Sequence, residues 1–275
     1  MRTVFREATI LGREPDGPLD IVVDDGRIAD IGKTIAAAGE EIRLGGKLAT
    51  PGMVETHIHL DKACILDRCA PEPETGPTEH AARVTAAKEN FTVEDVRARA
   101  SRTLEKCIIN GATRTIGGSH AASCRYRCCS DCAARHGSVS HGTRPGLRRA
   151  AGGSGCAPAD SPRCLTCTLS SNKILNPFTP FGDGSLIRMA NIYANIAQAS
   201  KPAEIRHCFE MASTQSAKLL RQDDFGIAVG NPADIVVFEA ASPEQAVAEV
   251  IAPEAGFKAG RRTFTRPADE LHRPG

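Results

Sequence analysis

His57-Ile58-His59 is the place in the chain where residue type and spacing could do chemistry. On a β-strand, side chains two apart leave from the same face, so both imidazoles would address one point. Neutral imidazole is a good ligand for zinc and iron. Two of them at the end of a strand, just before a loop, make half of a metal site. The other reading of the same residues is a pair of half-exposed histidines on a surface strand. Asp61 and Lys62 follow directly. They either help to shape the mouth of such a site or form a solvated pair after the strand.

The element that must position the pair is a strand from Met53 to Leu60, entered through glycine turns at Gly45-Gly46 and Pro51-Gly52. Upstream, residues 1–50 read as short strands, and Asp25-Gly26 between two apolar runs signals a tight hairpin. Residues 67–80 are polar and Pro-rich and read as a loop over one face. A helix is predicted over 92–110, with Thr92 as cap, Asp95 completing a capping box, Phe91 and Val96 as a staple, and Gly111 as the stop. Its apolar face is Val93, Val96, Ala100, Leu104, Cys107 and Ile108. A second helix over 185–199 carries Leu186, Met189, Ile192 and Ile196 on one stripe. A third over 202–221, with Pro202 in its first turn, carries Ile205, Phe209, Ala212, Leu219 and Leu220. A strand from Asp234 to Phe238 and a hairpin over 256–266, with Gly260 in its turn, close the chain.

Three blocks resemble one known family. PGMVETHIHLDK resembles the strand-one signature of the metal-dependent amidohydrolase superfamily, and its Leu-Asp-Lys narrows the resemblance to the cytosine-deaminase-like branch. LNPFTPFGDGSLIRMANIYANI resembles the segment just after barrel strand eight of that branch. GIAVGNPADIVVFEA resembles the strand where such chains return to a small β-sandwich.

The resemblance implies an α/β fold: a (β/α)8 TIM-type barrel, here incomplete, plus a small β-sandwich formed from both chain ends. Residues 1–52 and 226–270 would be the composite sandwich, and 53–114 and 169–225 the barrel remnant. One divalent metal ion, Zn2+ or Fe2+, is implied at the C-terminal mouth of the barrel. His57 and His59 match two of its ligands. Asn172 falls where the strand-eight aspartate is expected, and a neutral amide there is a weaker ligand and a poor base. The implied reaction is hydrolytic deamination of cytosine or a related amino-substituted ring, such as a triazine, by a metal-activated water. A carboxylate would shuttle the proton, but no shuttle glutamate or further strand-borne histidine is found in the middle of the chain. His207 reads as a surface residue on a helix.

Length and composition set the middle apart. An eight-unit barrel takes about 250 residues, whereas about 170 separate His57 from Phe225. Residues 115–168 hold seven of the 11 cysteines, seven arginines, and neither lysine nor glutamate. Only Ile116, Val139, Leu147 and Leu165 are large aliphatics there, too few to offset the entropy of ordering the backbone. This segment is expected to be of low order. Its composition fits a GC-rich gene read out of frame, with the central strands deleted or shifted away. Alternatively Cys129-x-x-Cys132 and Cys164-x-x-Cys167 make a four-cysteine zinc insert within 129–167. A catalytically inactive remnant or interaction module is the reading from a different class.

Bulk properties exclude other classes. With 41% apolar residues, a core can form. A net charge of +1, no tryptophan and two tyrosines argue against a nucleic-acid partner. No stretch approaches the ~20 apolar residues of a membrane span, and no export signal is seen. A cytoplasmic protein with a small-molecule ring substrate is expected, with a homo-oligomer among its states.

Overall fold

The computed structural model describes residues 2–73, 79–117 and 166–272. The chain is mixed α/β. Strands β1 (Thr3–Ile10), β2 (Leu19–Asp24), β3 (Arg27–Gly32), β4 (Glu40–Arg43) and β5 (Leu48–Pro51) are followed by β6 (Met53–Ile58) and β7 (Ala112–Gly117). Strands β8 (Ile235–Phe238), β9 (Ala255–Lys258) and β10 (Arg261–Thr265) complete the set. Eight of them form one sheet drawn from both chain ends, ordered β10-β9-β8-β5-β1-β2-β3 with β4 alongside β1.

β1 organises that sheet by changing partners along its length. Thr3–Arg6 pair with β4, whereas Thr9 and Ile10 pair with β5. Its register against β2 slips between Phe5 and Ala8, where Glu7 takes a φ of 58°. Such a bulge bends a strand, and the two limbs of the sheet share one apolar core. Phe5, Ile21 and Val23 from one limb join Ile235, Val237 and Phe257 from the other, and the Phe5 and Phe257 rings meet edge-on at 4.8 Å. The Asp20 carboxylate ties the bend together, accepting from Arg6 Nη1 (2.7 Å), the Glu7 amide (3.1 Å) and the Ile35 amide (3.0 Å).

Both expected hairpins are present. Asp25 and Gly26 have φ of 45° and 79°, and Ala259 and Gly260 have 46° and 71°. Positive φ at both central residues matches the twist of the flanking strands. The two tips abut: a Cβ on Gly26 would lie 2.8 Å from the Ala259 carbonyl oxygen.

A second sheet pairs β6 and β7 in parallel. β6 ends at Ile58 rather than Leu60, because residues 60–62 turn at once into a 3-10 helix. β7 runs to Gly117, beyond the break expected after Arg114. Residues 118–165 lie outside the described residues, and with them Cys129, Cys132, Cys164, His120, His136 and His141.

The helices correct several expectations. Helix α1 (His80–Lys88) begins at the end of the stretch read as a loop; its only buried residues, Val84 and Ala87, mark no apolar stripe in sequence. Helix α2 (Val93–Ile109) starts as expected, with Thr92 Oγ1 accepting from the Asp95 amide, and ends at Asn110 before Gly111 in a left-handed turn. Its buried face, however, is Arg99, Thr103 and Cys107, and Val93 and Ile108 are exposed. Val96, Ala100 and Leu104 of the expected face are half-buried beside the buried residues, and the Arg99 guanidinium donates inside to the carbonyls of Asp61 (3.2 Å) and Ala63 (2.9 Å).

Helix α3 (Leu186–Ala197) buries Leu186, Ile187, Ala190 and Ala194, leaving Ile192 and Ile196 exposed. Small alanines let the helix sit close to its neighbours in the core around Phe209 and Phe238. The single helix expected over 202–221 is two, α4 (Pro202–Met211) and α5 (Thr214–Leu219). The break falls where the Ala212 carbonyl accepts from the Val54 amide of β6 (3.0 Å) and so leaves the helical ladder. Around the break Ser213 Oγ donates to the Phe209 carbonyl (3.1 Å) and Ser216 Oγ to that of Met211 (2.7 Å). A short helix α6 (Pro243–Ala248), capped by Ser242, was not legible from its six residues. Among the described residues no helix is long and apolar enough to cross a membrane.

Candidate metal centre

β6 delivers His57 to its end and His59 just beyond it, and the two rings converge. Their Nε2 atoms lie 3.1 Å apart and the ring planes are nearly perpendicular, at 88°. Two tetrahedral ligands at zinc–nitrogen distances of about 2.05 Å are roughly 3.3 Å from one another, so the spacing suits a shared cation. Strand alternation is the cause, as the sequence implied.

Asn172 reaches the same strand end from far along the chain. Its amide donates to the His57 carbonyl (2.9 Å), its carbonyl accepts from the His59 amide (2.9 Å), and it forms a parallel bridge with Ile58. Its φ of 55° is left-handed, a conformation that asparagine tolerates. The Asn172 Oδ1 atom is buried with no hydrogen-bond partner among the described residues. The same is true of His59 Nδ1 and Asp61 Oδ1, which lie 4.0 Å apart, beyond hydrogen-bond reach.

Asp61 and Lys62 sit in the 3-10 turn after His59. Asp61 Oδ2 pairs with Lys88 Nζ at 3.2 Å, and the Lys62 carbonyl accepts from Asn176 Nδ2 at 3.1 Å. Burial pushes the His59 imidazole down to about 4, helped by Lys62, His57 and Lys173 against the opposing pull of Asp61. The ring is therefore neutral near pH 7, the form that binds metals. Lys173 is held below the usual lysine range by burial and by Lys62; its Nζ rests 3.6 Å from the Phe178 ring centroid. His207 pairs with Glu210 on the surface of α4, away from the pair. Asp183 is engaged with Arg188 and the Ser185 amide.

Glu55 is the residue that sequence reasoning missed. It is fully buried on the same face of β6 as His57. Burial pushes its carboxyl up to about 7, although Ser171 Oγ and the His57 and Ser171 amides pull it back. The available signal was an acidic residue at i−2 to His57 inside an otherwise apolar strand.

The donor set fits a divalent metal as far as it is described. The two imidazoles converge within 3.1 Å, and the Asn172 backbone bonds to both histidines. Among the described residues no group of three or more His, Cys, Asp or Glu side chains converges to hold an ion.

No protein-family model matches the chain. It is 39% identical over 74 residues to a dihydroorotase from Bacillus cytotoxicus, a stretch that is 26% of this chain and 15% of that protein. In structure it resembles 5-methylcytosine deaminase from Klebsiella pneumoniae liganded with phosphonocytosine, with a TM-score of 0.72 and 16% identity, covering 99% of this chain and 100% of that one. It also resembles an adenosine deaminase from Xanthomonas campestris with bound zinc, with a TM-score of 0.64 and 13% identity, covering 96% and 93% of the two chains. These likenesses show a fold shared with the two deaminases and a local sequence match to a dihydroorotase, of which the chain spans only a small part.

Proposed function

We propose that this chain derives from the cytosine-deaminase-like branch of the metal-dependent amidohydrolase superfamily and that its site serves hydrolytic deamination of an amino-substituted ring. The observation that carries the reading is the 3.1 Å approach of His57 and His59 Nε2 at the end of a parallel strand. In this reading residues 1–52 and 226–270 form a composite β-sandwich. Residues 53–114 and 169–225 are the remnant of a (β/α)8 barrel. The parallel bridge from Ile58 to Asn172 supports it, since barrel closure sets the last strand beside the first.

His57 and His59 would hold the metal, Zn2+ or Fe2+, with Asn172 Oδ1 as a neutral oxygen nearby. When bound, such an ion lowers the pKa of a water toward neutrality. The chain's own residues do the rest. β6 and the Asn172 backbone fix both imidazoles at one point. Asp61 and Lys62 border that point and orient a polar ring substrate. Water is consumed and ammonia released, with the ring amino group replaced by oxygen.

A second reading, an inactive remnant or interaction module, is favoured by one observation: no third charged or sulfur ligand joins the pair among the described residues. The assay that separates the two measures ammonia release from cytosine with added Zn2+ or Fe2+, beside a metal count on the purified chain. Turnover abolished by His57→Ala supports deamination. Metal binding without turnover supports the remnant. Turnover unchanged in His57→Ala overturns the site.

A further inference from the structure

Glu55 sits where the ladder between β6 and the segment entering Asn172 is interrupted. On that side of β6 the Val54 amide is taken by the Ala212 carbonyl, and the His57 carbonyl by the Asn172 amide. The His57 amide donates to Glu55 Oε1 at 2.9 Å. Across the gap the Ser171 amide donates to Glu55 Oε2 at 2.9 Å, and Ser171 Oγ donates to the same oxygen at 2.6 Å. One carboxyl group thus joins segments 116 residues apart in sequence and completes a broken stretch of ladder.

We infer that Glu55 is a positioning residue: its two oxygens fix the peptide planes of His57 and Ser171, and so aim the His57 imidazole at the point it shares with His59, where a metal would sit. The inference rests on the metal reading of the site. Three features of the geometry support it. The group lies on the face of β6 that carries the histidines. It accepts the amide of a proposed ligand and the amide of the residue before Asn172. Its partners are neutral donors, so its work is orientation rather than charge pairing. Groups placed this way around metal ligands typically govern about 10–100-fold in metal affinity.

Acceptor capacity makes the idea testable. A glutamine at 55 offers one acceptor oxygen and one amino group, and the amino group would face an N–H. An aspartate keeps both acceptors on an arm shorter by one methylene. Ser171→Ala removes one of the three bonds and leaves both amides served. The full-length protein is titrated with Co2+, following affinity by calorimetry and ligand geometry by the visible absorption of the bound ion. The expected result is a loss of tenfold or more in Co2+ affinity with a shifted spectrum in Glu55→Gln, an intermediate loss in Glu55→Asp, and a small one in Ser171→Ala. Thr103→Val, a buried polar deletion in α2, is expected to lower the melting temperature and leave the spectrum unchanged.

Wild-type affinity and spectrum in Glu55→Gln overturn the inference, and His57→Ala that loses the Co2+ band in the same series keeps the metal reading intact. If Glu55→Gln does not fold, Glu55→Asp decides by the same criteria. A wild-type chain that binds no Co2+ overturns both readings.

Discussion

Replacing Arg99 tests how the site loop is held. Arg99 projects inward from α2 and is 5% exposed. Its guanidinium pairs with Asp95 at 2.9 Å, donates to the carbonyls of Asp61 and Ala63, and lies 4.3 Å from the Phe91 ring centroid. Arg99→Met keeps much of the aliphatic volume and removes every donor. Asp95 retains its second partner, Arg68, so the carboxylate is not stranded. The cost falls on the two carbonyls, of which Ala63 belongs to a fully buried residue. A buried acceptor left without a donor costs about 1–3 kcal/mol, which applies in full to the Ala63 carbonyl and in part to that of the half-buried Asp61. Such a cost is a large share of a typical domain's roughly 5–15 kcal/mol. Arg99→Lys can serve Asp95 or the carbonyls but not both, and about half the loss is expected. Urea unfolding followed by far-UV circular dichroism reads the stability, and Co2+ titration reads the site. Both variants are also expected to bind Co2+ less tightly, because Asp61 and Lys62 ride on the loop that Arg99 anchors. A Met variant within about 0.5 kcal/mol of wild type, the range of an inert surface change, would refute the reasoning.

Two further outcomes concern the frame around the site. Burial raises the Asp20 carboxyl, but the Arg6 guanidinium and the Glu7 and Ile35 amides outweigh it and hold the group below the usual carboxylate range of 3.8. A depressed value stabilises the fold above the unfolded pKa and is lost as pH falls through the folded one. Asp20→Asn should therefore lower the urea midpoint at pH 5, and the gap to wild type should narrow by pH 2; parallel curves would count against the role assigned to Asp20. At Gly52 a Cβ would come within 2.1 Å of the Thr113 side chain and 2.6 Å of its Cβ. Gly52→Ala should cost about 1–3 kcal/mol by overpacking and weaken the pairing of β6 with β7, read as faster amide exchange at Met53, whose amide donates to the Gly111 carbonyl.

Local rules made much of this molecule legible. Positive-φ turns at Asp25-Gly26 and Ala259-Gly260, the Thr92 cap and the glycine stop at Gly111 depend on neighbours within a few residues. That His57 and His59 leave the same side of the chain follows from strand alternation, which is why the candidate pair could be read from three letters. Asn172 is singled out by resemblance alone, and the structure sets it in a parallel bridge with Ile58.

What tertiary structure decided has distant causes. Helix 202–221 breaks because Val54, from another element, takes the Ala212 carbonyl. Helix α2 turns Arg99 inward beside its apolar stripe, where two loop carbonyls accept from it. Glu55 looks like a misplaced charge in an apolar strand until Ser171 arrives to meet it. Periodicity records which face of an element prefers to leave water. It carries no information about which polar group, a hundred residues away, will need that face's hydrogen bonds, and at this site those bonds set the geometry.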